Sequence, residues 1–163
     1  MVCISSFSYG QLKVAQLQSL HEEEKEGVAL LYQGDELFTG SVFENYVNGH
    51  PKMYKQIKDG LADGVWREWY TNGQLKFDSH WKDGKGHGTW IYYFESGQIR
   101  QEEFYQMDKP NGIFRDYYNN GQVKVLATWM DGKKYGLWKY FNEEGILLKT
   151  ESHIASDALP LPK

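Results

Sequence analysis

The stretch Gly64-Val65-Trp66-Arg67-Glu68-Trp69-Tyr70-Thr71-Asn72-Gly73-Gln74-Leu75-Lys76, followed by Trp81-Lys82-Asp83-Gly84, decides the fold. Two runs of aromatic and β-branched residues flank an Asn-Gly pair, the strongest short-range signal for a β-hairpin. The stretch also recurs. Glycines stand at Gly40, Gly64, Gly88, Gly112 and Gly136, a 24-residue spacing, and a second register runs Gly49, Gly73, Gly97, Gly121 and Gly145. Numbering each unit from its first glycine, position 3 reads Val42, Trp66, Trp90, Phe114, Trp138 and position 18 reads Ile57, Trp81, Tyr105, Trp129, His153. A fixed period of this length is the mark of a stacked repeat architecture. The expected fold is all-β: stacked antiparallel hairpins forming one elongated, twisted, solenoid-like sheet over residues 28–153.

With Asn72-Gly73 as a two-residue turn, counting outward places Trp81 opposite Gly64 and Trp129 opposite Gly112. Such aromatic-over-glycine pairs stabilise sheets. The same count pairs position 7 with position 12 (Tyr70 with Leu75) on the buried side. On the other face, position 6 meets position 13: Trp69 with Lys76, Tyr93 with Arg100 and Tyr117 with Lys124, each a cation–π contact. Arg67 falls opposite Asp78 as a cross-strand ion pair. Lys-Asp-Gly at 58–60 and 82–84 marks the reversal into the next unit. At the start of the array, Leu30-Leu31-Tyr32 and Leu37-Phe38-Thr39 read as a shorter capping hairpin. Residues 1–27 form an acidic segment, with a short polar helix expected over 11–25, and residues 154–163 an extended tail.

Composition agrees. Of 163 residues 16% are aromatic, with 17 Gly against 4 Pro, a bias toward strands and tight turns. Mean hydropathy is −0.66, and no apolar run reaches transmembrane length, so stable membrane insertion is not expected. The opening residues lack a secretory pattern and the single Cys3 has no disulfide partner, which together predict a reducing, cytoplasmic setting. The formal charge of −4 resides in residues 1–39; the other 124 residues are net neutral, which argues against a nucleic-acid-binding surface.

Catalytic and cofactor signatures are missing from the sequence. His80 and His87 lack Cys or acidic partners at ligand spacing, and Gly84-Lys85-Gly86-His87-Gly88 opens a strand instead of the helix a phosphate cradle needs. No Ser occupies a Gly-x-Ser-x-Gly elbow. The expectation is a non-enzymatic protein without cofactor or metal.

The unit from Gly64 to Gly84, with the lead-in Leu37-Phe38-Thr39-Gly40, resembles the MORN-variant repeat and the opening of YwqK-family antitoxins, over about residues 28–151. The resemblance implies an elongated β-sheet that binds a partner, often as antitoxin or immunity protein for a bacterial toxin, by steric occlusion in a 1:1 complex. Residues expected to make the contacts are Arg67, Trp69, Tyr93, Arg100, Arg115 and Tyr117, because aromatics beside arginines form protein-binding hot spots. The acidic run Glu22, Glu23 and Glu24 would steer toward a basic cleft such as that of a toxic nuclease. A second reading is a scaffold or anionic-lipid module using the column Lys52, Lys76, Arg100, Lys124. A third, a carbohydrate surface, rests on the aromatic ladder alone.

Overall fold

The computed structural model describes residues 14–25 and 28–153. The strands are β1 (Val14–Gln16), β2 (His21–Lys25), β3 (Val28–Gln33), β4 (Glu36–Leu37), β5 (Gly40–Asn45), β6 (Pro51–Lys58), β7 (Leu61–Trp69), β8 (Leu75–Lys82), β9 (Lys85–Gly86), β10 (Gly88–Tyr93), β11 (Ile99–Gln106), β12 (Lys109–Pro110), β13 (Gly112–Tyr117), β14 (Val123–Met130), β15 (Lys133–Phe141) and β16 (Leu147–His153). Thirteen of them make one sheet in the order β1-β5-β6-β7-β8-β10-β11-β13-β14-β15-β16, with β9 on β8 and β12 on β11. The remaining three form a small sheet, β2-β3-β4. Each repeat is one hairpin laid beside the last, as the 24-residue period requires.

The pairing across each hairpin is the expected one. Gly40 faces Ile57, Gly64 faces Trp81, Gly88 faces Tyr105, Gly112 faces Trp129 and Gly136 faces His153. Glycine is needed at this position for its backbone. Gly64 has φ +106°, and a Cβ there would collide with the Gln56 side chain, whose amide oxygen accepts the Val65 N–H at 2.8 Å.

The turns exchange roles relative to expectation. Both central residues have positive φ at Asp59-Gly60, Asp83-Gly84, Met107-Asp108 and Asp131-Gly132, so the two-residue type I′ turns lie between units. The Asn-Gly loops have three residues instead. Tyr70 C=O accepts from Gly73 N–H at 2.9 Å while Tyr70 N–H donates to Gln74 C=O at 2.8 Å, a type I turn closed by a left-handed glycine at φ +85°. Asn72 serves through its side chain: Oδ1 accepts the Gln74 N–H at 2.9 Å and Nδ2 donates to Glu95 C=O, in the next turn, at 3.0 Å. Asn48 and Asn120 bond forward in the same way to Thr71 and Glu143. Tyr46, Tyr70 and Tyr118 add a second ladder, each hydroxyl donating to a backbone carbonyl of the following unit at 2.7–3.0 Å.

The extra loop residue is matched by a bulge after Leu75, so Trp69 pairs with Leu75 and Glu68 with Phe77. The expected pairings of position 7 with 12 and of position 6 with 13 are therefore corrected by one residue. Position 12 (Leu75, Ile99, Val123) joins position 6 (Trp69, Tyr93, Tyr117) on the face opposite the tryptophans.

The expected helix over 11–25 is also corrected. Residues 11–13 lie outside the described residues, and the rest is β1, a 3-10 turn (Leu17–Ser19) and β2. The apolar run Val28-Ala29-Leu30-Leu31-Tyr32 recruits β2 as its antiparallel neighbour, and this pairing overrides the helical preference of the glutamates. The capping hairpin forms as expected, Tyr32 opposite Leu37. It packs Leu31 and Phe38 onto Val42, Met53 and Ile57, with Ala15 from β1, to make the main buried core. Burial is thus concentrated at one end of the molecule, while most of the repeat sheet is a single layer with both faces open to solvent.

Candidate interaction surface

Side chains alternate across the sheet, so each repeat contributes to two chemically different faces. The aromatic face carries positions 3 and 18. Its rings form a nearly continuous row, with centroids 5.3 Å apart for Trp66–Trp81, 5.1 Å for Trp81–Trp90 and 4.4 Å for Trp90–Tyr105, then Trp129–Trp138 at 5.2 Å. The rings brace the backbone of the sheet: Trp90 packs against Gly86, and Trp90 Nε1–H donates to His80 C=O and Trp138 Nε1–H to Thr128 C=O, both at 3.1 Å. Where the cap meets this face, a groove of 470 Å³ is lined by Trp66, Trp81, Leu31, Ile57 and Lys55. The Lys55 ammonium sits 4.9 Å from the Trp66 ring, and burial pulls its pKa down.

The opposite, mixed face collects five of the predicted contact residues: Arg67, Trp69, Tyr93, Arg115 and Tyr117. Arg67 Nε donates to Asp78 Oδ2 at 3.1 Å, the expected cross-strand pair. Arg115 approaches Glu102 at 3.5 Å, and Tyr117 O–H donates to the same carboxylate at 2.7 Å. Desolvation, then this bond to Glu102, pushes the Tyr117 phenol up to about 12, so it remains a neutral donor at physiological pH. Trp69, Tyr93 and Tyr117 are half-buried against Leu75, Ile99 and Val123. Below the charged row, Phe104 is 41% and Ile113 50% exposed, and with Glu102 and Arg115 they border a shallow depression of 320 Å³. Phe104 and Ile113 escaped sequence reasoning, although Ile113 stands at even spacing from Arg115 and Tyr117, the strand signature of a shared face; on its own strand Phe104 is evenly spaced only from Arg100, which the bulge turns to the other face.

The other predicted contacts lie elsewhere. Arg100 is the bulged residue of its hairpin and turns to the aromatic face, 5.5 Å from the Tyr92 ring, instead of stacking on Tyr93. The same displacement corrects the other two cation–π expectations: Lys76 pairs with Glu68 and Lys124 with Asp116, both at 3.2 Å, and Lys52 pairs with Glu44 at 2.7 Å. Glu22, Glu23 and Glu24 are exposed on β2, in the cap that packs on the aromatic face, and so are not contiguous with the Arg67 cluster. Glu23 is held between His21 and Lys25 at 3.5 and 3.6 Å. Cys3 lies outside the described residues. The His80 ring nitrogen bonds Thr89 C=O at 3.1 Å, and no group of three metal-ligating side chains is present among the described residues.

Fold and surface together define a tandem β-hairpin repeat protein with a single-layer sheet as its exposed platform. Three of its units, residues 62–83, 86–107 and 110–131, match the family described as the MORN repeat variant, so the chain carries tandem MORN-variant repeats. No curated protein sequence matches it. Among solved structures, a crystal structure of an S. aureus TarM mutant in complex with fondaparinux, α-GlcNAc-glycerol and UDP is similar at 16% identity and TM-score 0.36, and covers 73% of this chain. A second TarM crystal structure gives 17% identity and the same TM-score. This chain spans 21% of TarM in both comparisons.

Proposed function

We propose that this chain is a stoichiometric protein-binding module that acts as an antitoxin or immunity protein, covering a bacterial toxin with the mixed face of its sheet and blocking access to the toxin's active site. The observation that carries the reading is the convergence of Arg67, Trp69, Tyr93, Arg115 and Tyr117 on one face. Arginine and aromatic side chains there are half-exposed, held by their neighbours, and flanked by the uncovered apolar side chains of Phe104 and Ile113. Ordering these side chains in advance lowers the entropic cost of binding. The laddered turns supply the rigidity steric occlusion needs. The resemblance to YwqK-family antitoxins supports the choice of a toxin as partner, and the site is cytoplasmic, where a toxin would act.

The lipid-surface reading is disfavoured by charge pairing. Three of the four basic residues in its column, Lys52, Lys76 and Lys124, already face carboxylates within 3.2 Å. Each would lose most of the roughly 1 kcal/mol that a free cation gains at an anionic membrane.

The test is toxicity rescue. The protein encoded beside this one is expressed in bacteria with and without this chain, and complexes are purified from surviving cultures. Rescue with a 1:1 complex supports the proposal; an innocuous neighbour with no complex, together with sedimentation on anionic liposomes, overturns it.

A further inference from the structure

The two ends of the long sheet are finished differently. At the first end, β1 lies parallel on β5, Val14 opposite Ser41 through Gln16 opposite Phe43, and the cap closes over the adjacent core. At the other end, among the described residues, no strand pairs with the outer edge of β16.

Inner units pass hydrogen bonds forward. At position 17, His80 C=O accepts from His87 N–H at 2.9 Å and Phe104 C=O from Asn111 N–H at 2.8 Å, each donor being the residue just before the first glycine of the next unit. Ser152 occupies this position in the last unit, so its carbonyl points off the end of the sheet. Backbone groups alternate in direction along a strand, so Thr150 points outward as well. The side-chain rungs stop too: Asn142 and Glu144 stand where earlier units carry the bonding Tyr and Asn. Among the described residues, the edge therefore offers a backbone ladder without a paired strand and without the Tyr and Asn rungs of earlier units. Natural sheets blunt such edges with prolines, bulges or charged side chains; β16 holds no proline, its bulge lies at its start, at Leu148, and its Lys149 and Glu151 pair with each other at 2.7 Å. Leu147 and Leu148 beside them are 50% and 63% exposed.

The strand is complementary to itself. Antiparallel pairing with Thr150 opposite its own copy joins two outward-facing residues in a hydrogen-bonded pair. It then places Lys149 opposite the partner's Glu151, and Glu151 opposite the partner's Lys149. We propose that β16 is a homotypic docking edge, and that its occupant is β16 of a second copy of this chain in this register. The two-fold axis runs normal to the sheet, so the mixed faces of both copies look the same way and form one surface of doubled length. The inference is independent of which partner that surface binds.

Sedimentation velocity over a concentration series up to about 1 mM, with the full chain, tests it. The expected result is a monomer–dimer equilibrium. K149E and E151K each set like charges face to face and weaken dimerisation about tenfold. An equimolar mixture of the two variants restores it, because every cross-strand pair in the mixed dimer is again opposite in sign. That restoration also shows that both variants fold. A chain that stays monomeric throughout overturns the proposal, as does a dimer that neither variant weakens or a mixture that fails to recover.

Discussion

Ser96 occupies the weak rung of the turn ladder, and replacing it with Asn is expected to stabilise the protein. In the units before and after, Asn72 and Asn120 each accept the N–H two residues on at 2.9 Å and donate to the next turn's carbonyl at 3.0 and 2.9 Å. Ser96 offers long contacts instead: a 3.5 Å approach to Gln98 N–H, 3.4 Å to Gln98 Oε1 and 3.3 Å to Asn119 Oδ1. Its φ is not positive, so Asn enters without backbone strain. Two good hydrogen bonds in place of these long contacts, in an exposed turn, are worth about 1 kcal/mol at the low end of the usual net value. For a chain of this size that corresponds to a rise of about 2–4 °C in Tm. Urea denaturation should show a higher midpoint with unchanged m. Ser96→Asp is the control: it restores the acceptor but brings no donor, so it should recover less than half of the gain. No gain from Asn, or an equal gain from Asp, refutes the forward rung as a stabilising element.

Three further outcomes are expected. Met107 sits at φ +50° in an inter-unit turn where the other units place Asp, and Met107→Asn should raise stability by about 0.5–1 kcal/mol in the same denaturation experiment. Phe38, 2% exposed in the only extensive core among the described residues, should cost about 3–5 kcal/mol as Phe38→Ala, and hydrogen exchange should show the protection loss concentrated in β3–β6. Hydrogen bonds from Lys149 and then Tyr140 hold the Glu151 carboxyl down at about 2, below its ordinary range. A depressed carboxylate pKa stabilises the fold above the unfolded value of about 4.5, and this contribution fades as pH falls toward 2; a carboxyl NMR titration should place the Glu151 midpoint well below those of other glutamates.

Much of this architecture was legible in the sequence because a period repeated five times leaves little freedom in strand order, and the glycine–aromatic pairing follows from counting. The turns were misread for a local reason. Asn-Gly signals a type I′ turn when its backbone supplies the reversal, but here the Asn side chain bonds along the array and the loop gains a residue. That residue is absorbed by a bulge, which moves Lys76, Arg100 and Lys124 to the other face without disturbing Arg67 opposite Asp78. Half a hairpin read correctly thus coexists with half displaced by one. The cap was hidden for another reason: five consecutive residues His21–Lys25 carry no period, and their extended form is imposed by β3. The gathering of Arg67, Trp69, Tyr93, Arg115 and Tyr117 was visible from alternation alone, whereas the separation of Glu22, Glu23 and Glu24 from them depends on which face the cap covers.

The most direct test of partner binding through the mixed face is calorimetric titration of the toxin recovered by rescue against two variants of this chain. Trp69→Ala/Tyr93→Ala/Tyr117→Ala strips aromatic anchors from the mixed face; Lys76→Ala/Lys124→Ala removes exposed ion pairs, and the Lys124 contact with the Tyr118 ring, on the other. Binding through the mixed face predicts that the first variant loses at least about 100-fold in affinity, from three truncated aromatic anchors, while the second binds as tightly as the parent. Equal affinities for all three chains, or a loss confined to the lysine variant, would contradict it.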